Sequence, residues 1–250
     1  WYVFAIPDTT FTFVCSNPGC IDPMAENYDP YASEDDGSCE FLNGEPACNY
    51  ESSVTFDGYD YALVAIGDQC WFAENLQTTH YRNGDGIESV EDMWDYVLTT
   101  SGAFSYPDGN EDNQLPYGLL YNWYAVDDAR SICPIGYHVP SDLEWQGLES
   151  NLGMSTNELS NWGERGQEGE LLKSASDDIV PWDGLNSVGF SAVPAGFREA
   201  FYFNEINMFW TATNLTGNPI NRELHSGYDW VQRNVSEKLY GLSVRCIKDT

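Results

Sequence analysis

A short stretch in the middle of the chain, CPIGYHVPSDLEW at 133–145, constrains the fold more than any other. Pro140 disfavours helical backbone at the residue before it, so the piece leading up to it is extended. Ser141 and Glu144 then have the S-x-x-E spacing of a capping box, which begins a helix. The next apolar residues recur at helical spacing: Trp145, Leu148 and Leu152. Gly153 suits the left-handed residue that ends such a helix, so the stretch predicts a strand followed directly by an amphipathic helix.

The charge balance of the chain is extreme. Its 250 residues include 40 acidic and 10 basic side chains, for a net charge of −30. Such a field repels nucleic acid and anionic membranes and attracts cations, so we expect no nucleic-acid partner. No apolar run approaches the ~20 residues needed to span a bilayer, so we also expect no transmembrane segment. A surface adapted to solubility or to salty water is the alternative interpretation of the acidity.

The chain contains seven cysteines without paired C-x-x-C spacing. This pattern indicates disulfides and an oxidising compartment rather than zinc sites. Because seven is odd, at least one cysteine is free or pairs outside the chain. The sequence begins at Trp1 without a methionine, which we interpret as a processed piece of a longer exported protein or surface assembly. We therefore expect an extracellular or cell-surface location.

Residues 15–54 differ from the rest of the chain because Cys, Asp, Asn, Pro and Gly dominate them. Oxygen-bearing side chains that suit Ca²⁺ are concentrated there: Asp22, Asn27, Asp29, Asp35 and Asp36. Gly37 permits a sharp turn, and a disulfide such as Cys20–Cys39 would hold a segment that has too few apolar residues for a core. We predict a small irregular calcium-binding module. An acidic linker with turn-forming Asx-Pro steps is the alternative.

The remaining stretches predict short elements. Residues 1–14 are aromatic and β-branched and predict one or two strands, the tail of an upstream domain. Residues 55–250 form the main domain and begin with a hairpin over 59–72. The predicted helices and later strands cover 89–97, 116–127, 188–192, 208–213 and 242–246. Short helices around small antiparallel sheets make the main domain an α+β structure.

Seven sequence words of the main domain carry a family resemblance. They are VAIGDQCWFAENL (64–76), YRNGDGI (81–87), YGLLYNWYAV (117–126), CPIGYHVPSDLEW (133–145), GFSAVPAGFRE (189–199), FWTAT (209–213) and SVRCIKD (243–249). The domain resembles the Fibrobacter succinogenes major paralogous domain of bacterial surface proteins. The resemblance implies a C-type-lectin-like fold, as in formylglycine-generating enzymes, in which a disulfide would join Cys133 to Cys246. Residues 15–54 in turn resemble thrombospondin type 3 calcium repeats.

No catalytic constellation is evident, and we expect that the chain is not an enzyme. The three histidines have no metal spacing, and no GxSxG, P-loop or HExxH motif occurs. The formylglycine-generating enzymes need a redox-active cysteine pair, whereas the main domain has only Cys70, Cys133 and Cys246. The alternatives are an enzyme of that fold and a structural subunit of an extracellular fibre.

The stretch 197–240 is rich in Tyr, Trp and Asn, and we predict that these residues lie on loops between strands. Such residues combine rigid contact area with adaptable hydrogen bonds, as binding surfaces do. The strongest candidates lie between the family words: Tyr202, Asn204, Tyr228 and Trp230. We predict a calcium-stabilised bacterial adhesion protein that recognises a protein or glycan ligand through this face. An ordinary loop with core aromatics is the alternative.

Overall fold

The computed structural model describes residues 17–21, 27–38, 47–198 and 202–250. The chain divides into two compact units, Trp1–Pro46 and Ala47–Thr250. Three of the predictions involve residues outside the described part of the chain. They are the strands at 1–14, the calcium ligand Asp22 and the disulfide partner Cys39.

The first unit is irregular and rich in turns in its described part. Two very short strands, β1 (Pro18–Gly19) and β2 (Glu34–Asp35), pair in parallel. The amide of Asp29 donates a hydrogen bond of 2.8 Å to the carbonyl of Cys20, which is buried. Turns and backbone hydrogen bonds thus shape the described part of this unit.

The second unit is a mixed α+β structure. Its strands are β3 (Ser53–Phe56), β4 (Tyr59–Ile66), β5 (Gln69–Phe72), β6 (Glu88–Ser89), β7 (Ala103–Ser105), β8 (Leu120–Tyr121), β9 (Tyr137–His138), β10 (Gly163–Arg165), β11 (Ile206–Leu215), β12 (Asn218–His225), β13 (Val231–Val235) and β14 (Ile247–Lys248). Its helices are α1 (Met93–Leu98), α2 (Gln114–Tyr117), α3 (Trp123–Val126), α4 (Asp142–Leu152) and α5 (Gly169–Leu172). The antiparallel pair β4–β5 confirms the predicted hairpin over 59–72.

One sheet joins residues that are far apart in the sequence. Its strand order is β3-β4-β5-β14-β9. Ile247 of β14 pairs antiparallel with Trp71 of β5 on one side and with His138 of β9 on the other. The short strand β14 therefore links the hairpin to the stretch that precedes α4.

The capping box before α4 is confirmed. The Ser141 amide donates to Glu144 Oε2 over 2.6 Å, and the Glu144 amide donates to Ser141 Oγ over 3.2 Å. Gly153 ends the helix with a φ of 116°, in the left-handed region. Trp145 and Leu148 are buried, so the apolar face of the helix packs inward as its spacing predicts.

A second sheet, with the order β10-β13-β12-β11, carries a separate hydrophobic cluster on each face of β11. Successive side chains of a strand point to opposite faces. Alternate residues of β11 accordingly join one cluster, and they are Ile206, Met208 and Trp210. Phe209 joins the other cluster, which contains Trp71 and Trp145 with ring centroids 5.2 Å apart.

Two disulfides lie within residues 47–250. Cys133 and Cys246 are joined, as the family resemblance implies, and both are fully buried in the first hydrophobic cluster. Cys70 is joined to Cys48. The sequence left both partners of this second disulfide open and assigned Cys48 to the calcium module, whereas the structure places it in the second unit.

The predicted helix over 116–127 is wrong. The structure instead has α2, the strand β8 and α3 in succession. Gly118 ends α2 with a φ of 77°, and a β-carbon there would come within 2.6 Å of the side chain of Asn75. Asn122 then caps α3 by accepting a hydrogen bond from the amide of Ala125. The helical spacing of the aromatic residues is therefore interrupted by a close backbone approach that only glycine allows.

Other boundaries also needed correction. The helix predicted at 89–97 begins only at Met93, because Asp92 caps it and Glu88–Ser89 is a strand. Residues 188–192 do not form a strand; among them only Ala192 forms a β-bridge, with Lys173. The strand predicted at 242–246 is reduced to isolated bridges before β14, and Ser243 and Arg245 are as buried as their apolar neighbours. Side chains on both sides of that segment are buried, so the alternation of apolar and polar residues did not correspond to a half-buried strand.

Candidate functional site

An open groove of about 640 Å³ lies over the sheet formed by β11, β12 and β13. We name it the aromatic groove. The residues that define it are Phe197, Tyr202, Glu205, Ile206, Met208, Glu223, His225, Tyr228, Asn234 and Tyr240. The prediction that this region consists of loops was wrong, because much of 206–235 forms β11, β12 and β13.

Cross-strand pairs form the floor of the aromatic groove. Ile206 lies opposite His225 and Met208 lies opposite Glu223 in the antiparallel β11–β12 ladder. Directly opposed residues in such a ladder project from the same face of the sheet. The floor is thus apolar along β11 and polar along β12.

Three aromatic rings form one wall of the groove. The rings of Phe197 and Tyr202 are stacked, with centroids 5.9 Å apart and an interplanar angle of 14°. The ring centroid of Tyr240 lies 6.0 Å from that of Phe197, and the two rings are tilted by 34°. Tyr202 keeps 47% of its surface exposed, so the wall ends in an accessible ring.

A second group of rings lies on the turn after β12. Trp230 packs against His225 at 4.8 Å and against Tyr228 at 5.0 Å. Tyr228 is 56% exposed and lines the groove, whereas Trp230 is half-buried behind it. Trp230 therefore supports two rings that face the groove.

A buried lysine holds this turn in place. Lys173 Nζ donates to the carbonyls of His225 and Tyr228 over 3.1 and 2.8 Å, and it lies 2.7 Å from Asp183 Oδ1. Asp183 also accepts a hydrogen bond from the amide of Gly227. The turn is thus fixed by one ammonium and one carboxylate, neither of which lines the groove.

The groove carries negative charge. Glu223 is buried, and its Oε1 accepts hydrogen bonds from the amide groups of Asn221 and Asn234 over 3.0 and 3.3 Å. Its Oε2 lies 3.3 Å from Nε2 of His225. Glu205 is exposed on the rim. Among the described residues that line the groove, none is lysine or arginine.

The four predicted ligand-binding residues are only partly brought together. Tyr202 and Tyr228 line the groove and Trp230 supports it, but Asn204 does not line it. Asn204 has a φ of 66° and accepts a hydrogen bond of 3.3 Å from the hydroxyl of Tyr117. The four candidates did not include the other lining residues, among them Phe197, Glu205, Glu223, Tyr240 and the floor residues Ile206 and Met208. The i, i+2 spacing of Glu223 and His225 was the available signal for a shared face.

A second cavity of about 370 Å³ lies against the β4–β5 hairpin and α2. Tyr59, Glu74 and Tyr117 are among its lining residues. Burial raises the pKa of Tyr59, and the neighbouring Glu74 carboxylate raises it further. The cavity offers two carboxylates, from Glu74 and Asp178, and two phenol groups, and the hydroxyl of Tyr117 donates a hydrogen bond to Asn204.

His138 links two segments through its ring. Nε2 lies 2.8 Å from Glu144 Oε1 and Nδ1 lies 2.6 Å from Asp249 Oδ1. The hydrogen bond to Glu144 raises the pKa of His138 against the opposing effect of burial, and Asp249 adds to the rise. The histidine therefore has a structural role beside the capping box.

The predicted calcium ligands in the described part of the first unit form local turns. Oδ1 of Asp29, Asp35 and Asp36 each accepts a hydrogen bond of 2.9 Å from the amide two residues later. Asn27 Nδ2 donates to the carbonyl of Ser38 over 2.6 Å. Across the described residues, no three His, Cys, Asp or Glu side chains are placed to hold a metal ion. A calcium site here would therefore need Asp22 or carbonyl oxygens as well.

The comparison with protein families decides the classification. Residues 64–248 match the family model described as the Fibrobacter succinogenes major domain. The chain belongs to this family. The match includes α4, both cysteines of the Cys133–Cys246 disulfide and all the residues of the aromatic groove. No curated protein and no solved structure matches the chain. None of the helices in the described part of this major-domain protein has the length and apolar character that crossing a membrane requires.

Proposed function

We propose that this major-domain protein is an extracellular or cell-surface recognition protein of a bacterium, which binds its ligand in the aromatic groove and carries out no catalysis. The observation that carries the proposal is the pair of exposed tyrosines, Tyr202 and Tyr228, that line one groove. Each is backed by a second ring, Phe197 or Trp230. Supported aromatic side chains on an open surface are typical anchors of binding sites.

The disulfides support an extracellular location and a C-type-lectin-like fold. Such bonds persist in oxidising compartments. The Cys133–Cys246 disulfide joins the segment that precedes β9 and α4 to the residue before β14. That is the connection expected from the resemblance between this family and the C-type-lectin fold.

Calcium stabilisation of the first unit is part of the proposal. Asp29, Asp35 and Asp36 each use one oxygen in a local turn. A carboxylate can coordinate calcium through its other oxygen while the turn persists. Addition of EDTA should increase proteolysis within 15–46 and leave the second unit resistant. Isothermal titration that gives no calcium heat at millimolar concentration would remove this part of the proposal.

The central test compares groove and non-groove aromatics in the full chain. Tyr202→Ala and Tyr228→Ala should each weaken binding to a panel of immobilised oligosaccharides and peptides by roughly 30-fold, as loss of a hot-spot ring does. The matched control is Trp94→Ala, since Trp94 is 76% exposed on α1 and does not line the groove. All three variants should unfold within about 0.5 kcal/mol of the wild type. If the three variants weaken binding equally, or if none of them weakens it, the groove is not the binding site.

A further inference from the structure

We propose that the aromatic groove binds lysine side chains displayed by a partner polypeptide, so that its ligand is an alkylammonium rather than a neutral sugar. The inference rests on the proposed function and adds the chemical class of the ligand to it. It is carried by the juxtaposition of two carboxylates, exposed tyrosine rings and an apolar floor in one groove.

The carboxylates of the groove lack a cationic partner from lysine or arginine among the described residues. Glu223 is satisfied by two amide groups and by His225, and no lysine or arginine of the described chain pairs with it. Glu205 adds a second carboxylate at the rim. The nearby ammonium of Lys173 is buried and already paired with Asp183. A cation from a ligand would therefore complete the local charge balance.

The floor of the groove is divided into an apolar and a polar part. Ile206 and Met208 form an apolar strip beside the polar pair Glu223 and His225. A lysine side chain likewise has an apolar part, its four-carbon stem, and a charged part, its ammonium group. Its stem can cover the strip while its ammonium reaches a carboxylate.

Tyrosine rings line the groove. Tyr202, Tyr228 and Tyr240 all present ring surface to the groove. The face of an aromatic ring attracts an ammonium through its quadrupole, and the attraction grows as the cation loses water. The groove volume of about 640 Å³ exceeds what one side chain fills, so a segment with two spaced lysines is the better match. The net charge of −30 would raise the local concentration of such a basic segment.

The test uses the full chain and a flexible peptide of alternating glycine and lysine. A control peptide of the same sequence carries an Nε-acetyl group on every lysine, which removes the positive charge but keeps the four-carbon stem. We expect the acetylated control peptide to bind at least tenfold more weakly than the unmodified peptide. Glu205→Gln should weaken binding of the unmodified peptide roughly twofold to fivefold, as expected for a solvent-exposed charge pair. Glu111→Gln is the matched control, because Glu111 is exposed, lies outside the groove and changes the net charge equally.

Several results would overturn the inference. Equal binding of the two peptides would exclude the ammonium as the recognised group. Equal losses in Glu205→Gln and Glu111→Gln would show that only the overall field acts. If chitosan oligosaccharides bind and the lysine peptide does not, the ammonium group that the groove recognises belongs to an amino sugar instead of a lysine. If a neutral glycan binds and Tyr202→Ala abolishes it while Glu205→Gln does not, the proposed function stands and this inference fails.

Discussion

Glu149 and Arg222 form an ion pair that is fully shielded from solvent, with Glu149 Oε1 2.6 Å from Arg222 Nε. Arg165 completes the pair from the other side, since its two terminal nitrogens lie 2.9 and 2.7 Å from the two oxygens of Glu149. Arg222 Nη1 also lies 2.9 Å from Asp142 Oδ1, so two carboxylates of α4 pair with the guanidinium groups from β10 and β12. The pairs tie α4 to the sheet that carries the aromatic groove.

Replacement of Glu149 by glutamine should be strongly destabilising. Removal of one partner of a buried ion pair leaves an uncompensated charge, at a cost of about 3–5 kcal/mol. Urea unfolding would measure the loss. The control is Glu164→Gln, because Glu164 is exposed in the neighbouring strand β10 and should change stability by about 0.5 kcal/mol or less. A loss below about 1 kcal/mol in Glu149→Gln would show that the network does not hold the sheet to α4.

Stability should fall in acid because of Asp142. Burial opposes its charge, but Arg233 and Arg222 outweigh burial and hold the pKa of Asp142 at about 2. The pKa of an unfolded aspartate is about 4, so Asp142 has a lower pKa in the folded state. Such a carboxylate makes its full contribution to the free energy of unfolding above about pH 4. That contribution is lost as the pH falls towards 2. In urea unfolding at pH 5 to pH 2, Asp142→Asn should show a smaller pH slope than the wild type, whereas the exposed control Asp112→Asn should keep the full slope.

Loss of the ammonium of Lys173 should loosen one wall of the groove without removing a lining residue. Lys173→Met deletes the hydrogen bonds to the carbonyls of His225 and Tyr228. We expect hydrogen exchange of the amides at 226–230 to rise and stability to drop by about 1–3 kcal/mol. Lys238→Met is the control, since Lys238 lies over the ring of Trp123 and does not contact this turn. Unchanged exchange at 226–230 would mean that the turn is held by other contacts.

The two disulfides should stabilise the fold to different extents. Cys133 and Cys246 are separated by 113 residues, and Cys48 and Cys70 by 22. Loop-closure entropy then predicts losses of about 4.8 kcal/mol for the double serine variant of the first and about 3.4 kcal/mol for that of the second. Chemical unfolding of the two variants would compare them directly. A larger loss for the Cys48–Cys70 variant would contradict the entropic account.

Features with local signals were determined by the sequence alone. The capping box of Ser141 and Glu144, the end of α4 at Gly153 and the hairpin over 59–72 depend on contacts within a few residues. Local propensity and side-chain period are sufficient for such elements. The Cys133–Cys246 disulfide was reached differently, through an ordered set of family words, because spacing alone does not select a partner across 113 residues.

The tertiary structure decided the features that depend on distant residues. The helix expected at 116–127 is interrupted at Gly118 because Asn75, more than forty positions earlier, packs against it. Asn204 was grouped with Tyr202 because both lie between the family words, yet Asn204 has a positive φ and accepts a hydrogen bond from Tyr117. The groove itself combines residues from 197 to 240 through the register of β11, β12 and β13. Register is a property of paired strands, so a single strand's sequence cannot determine which side chains meet across the ladder.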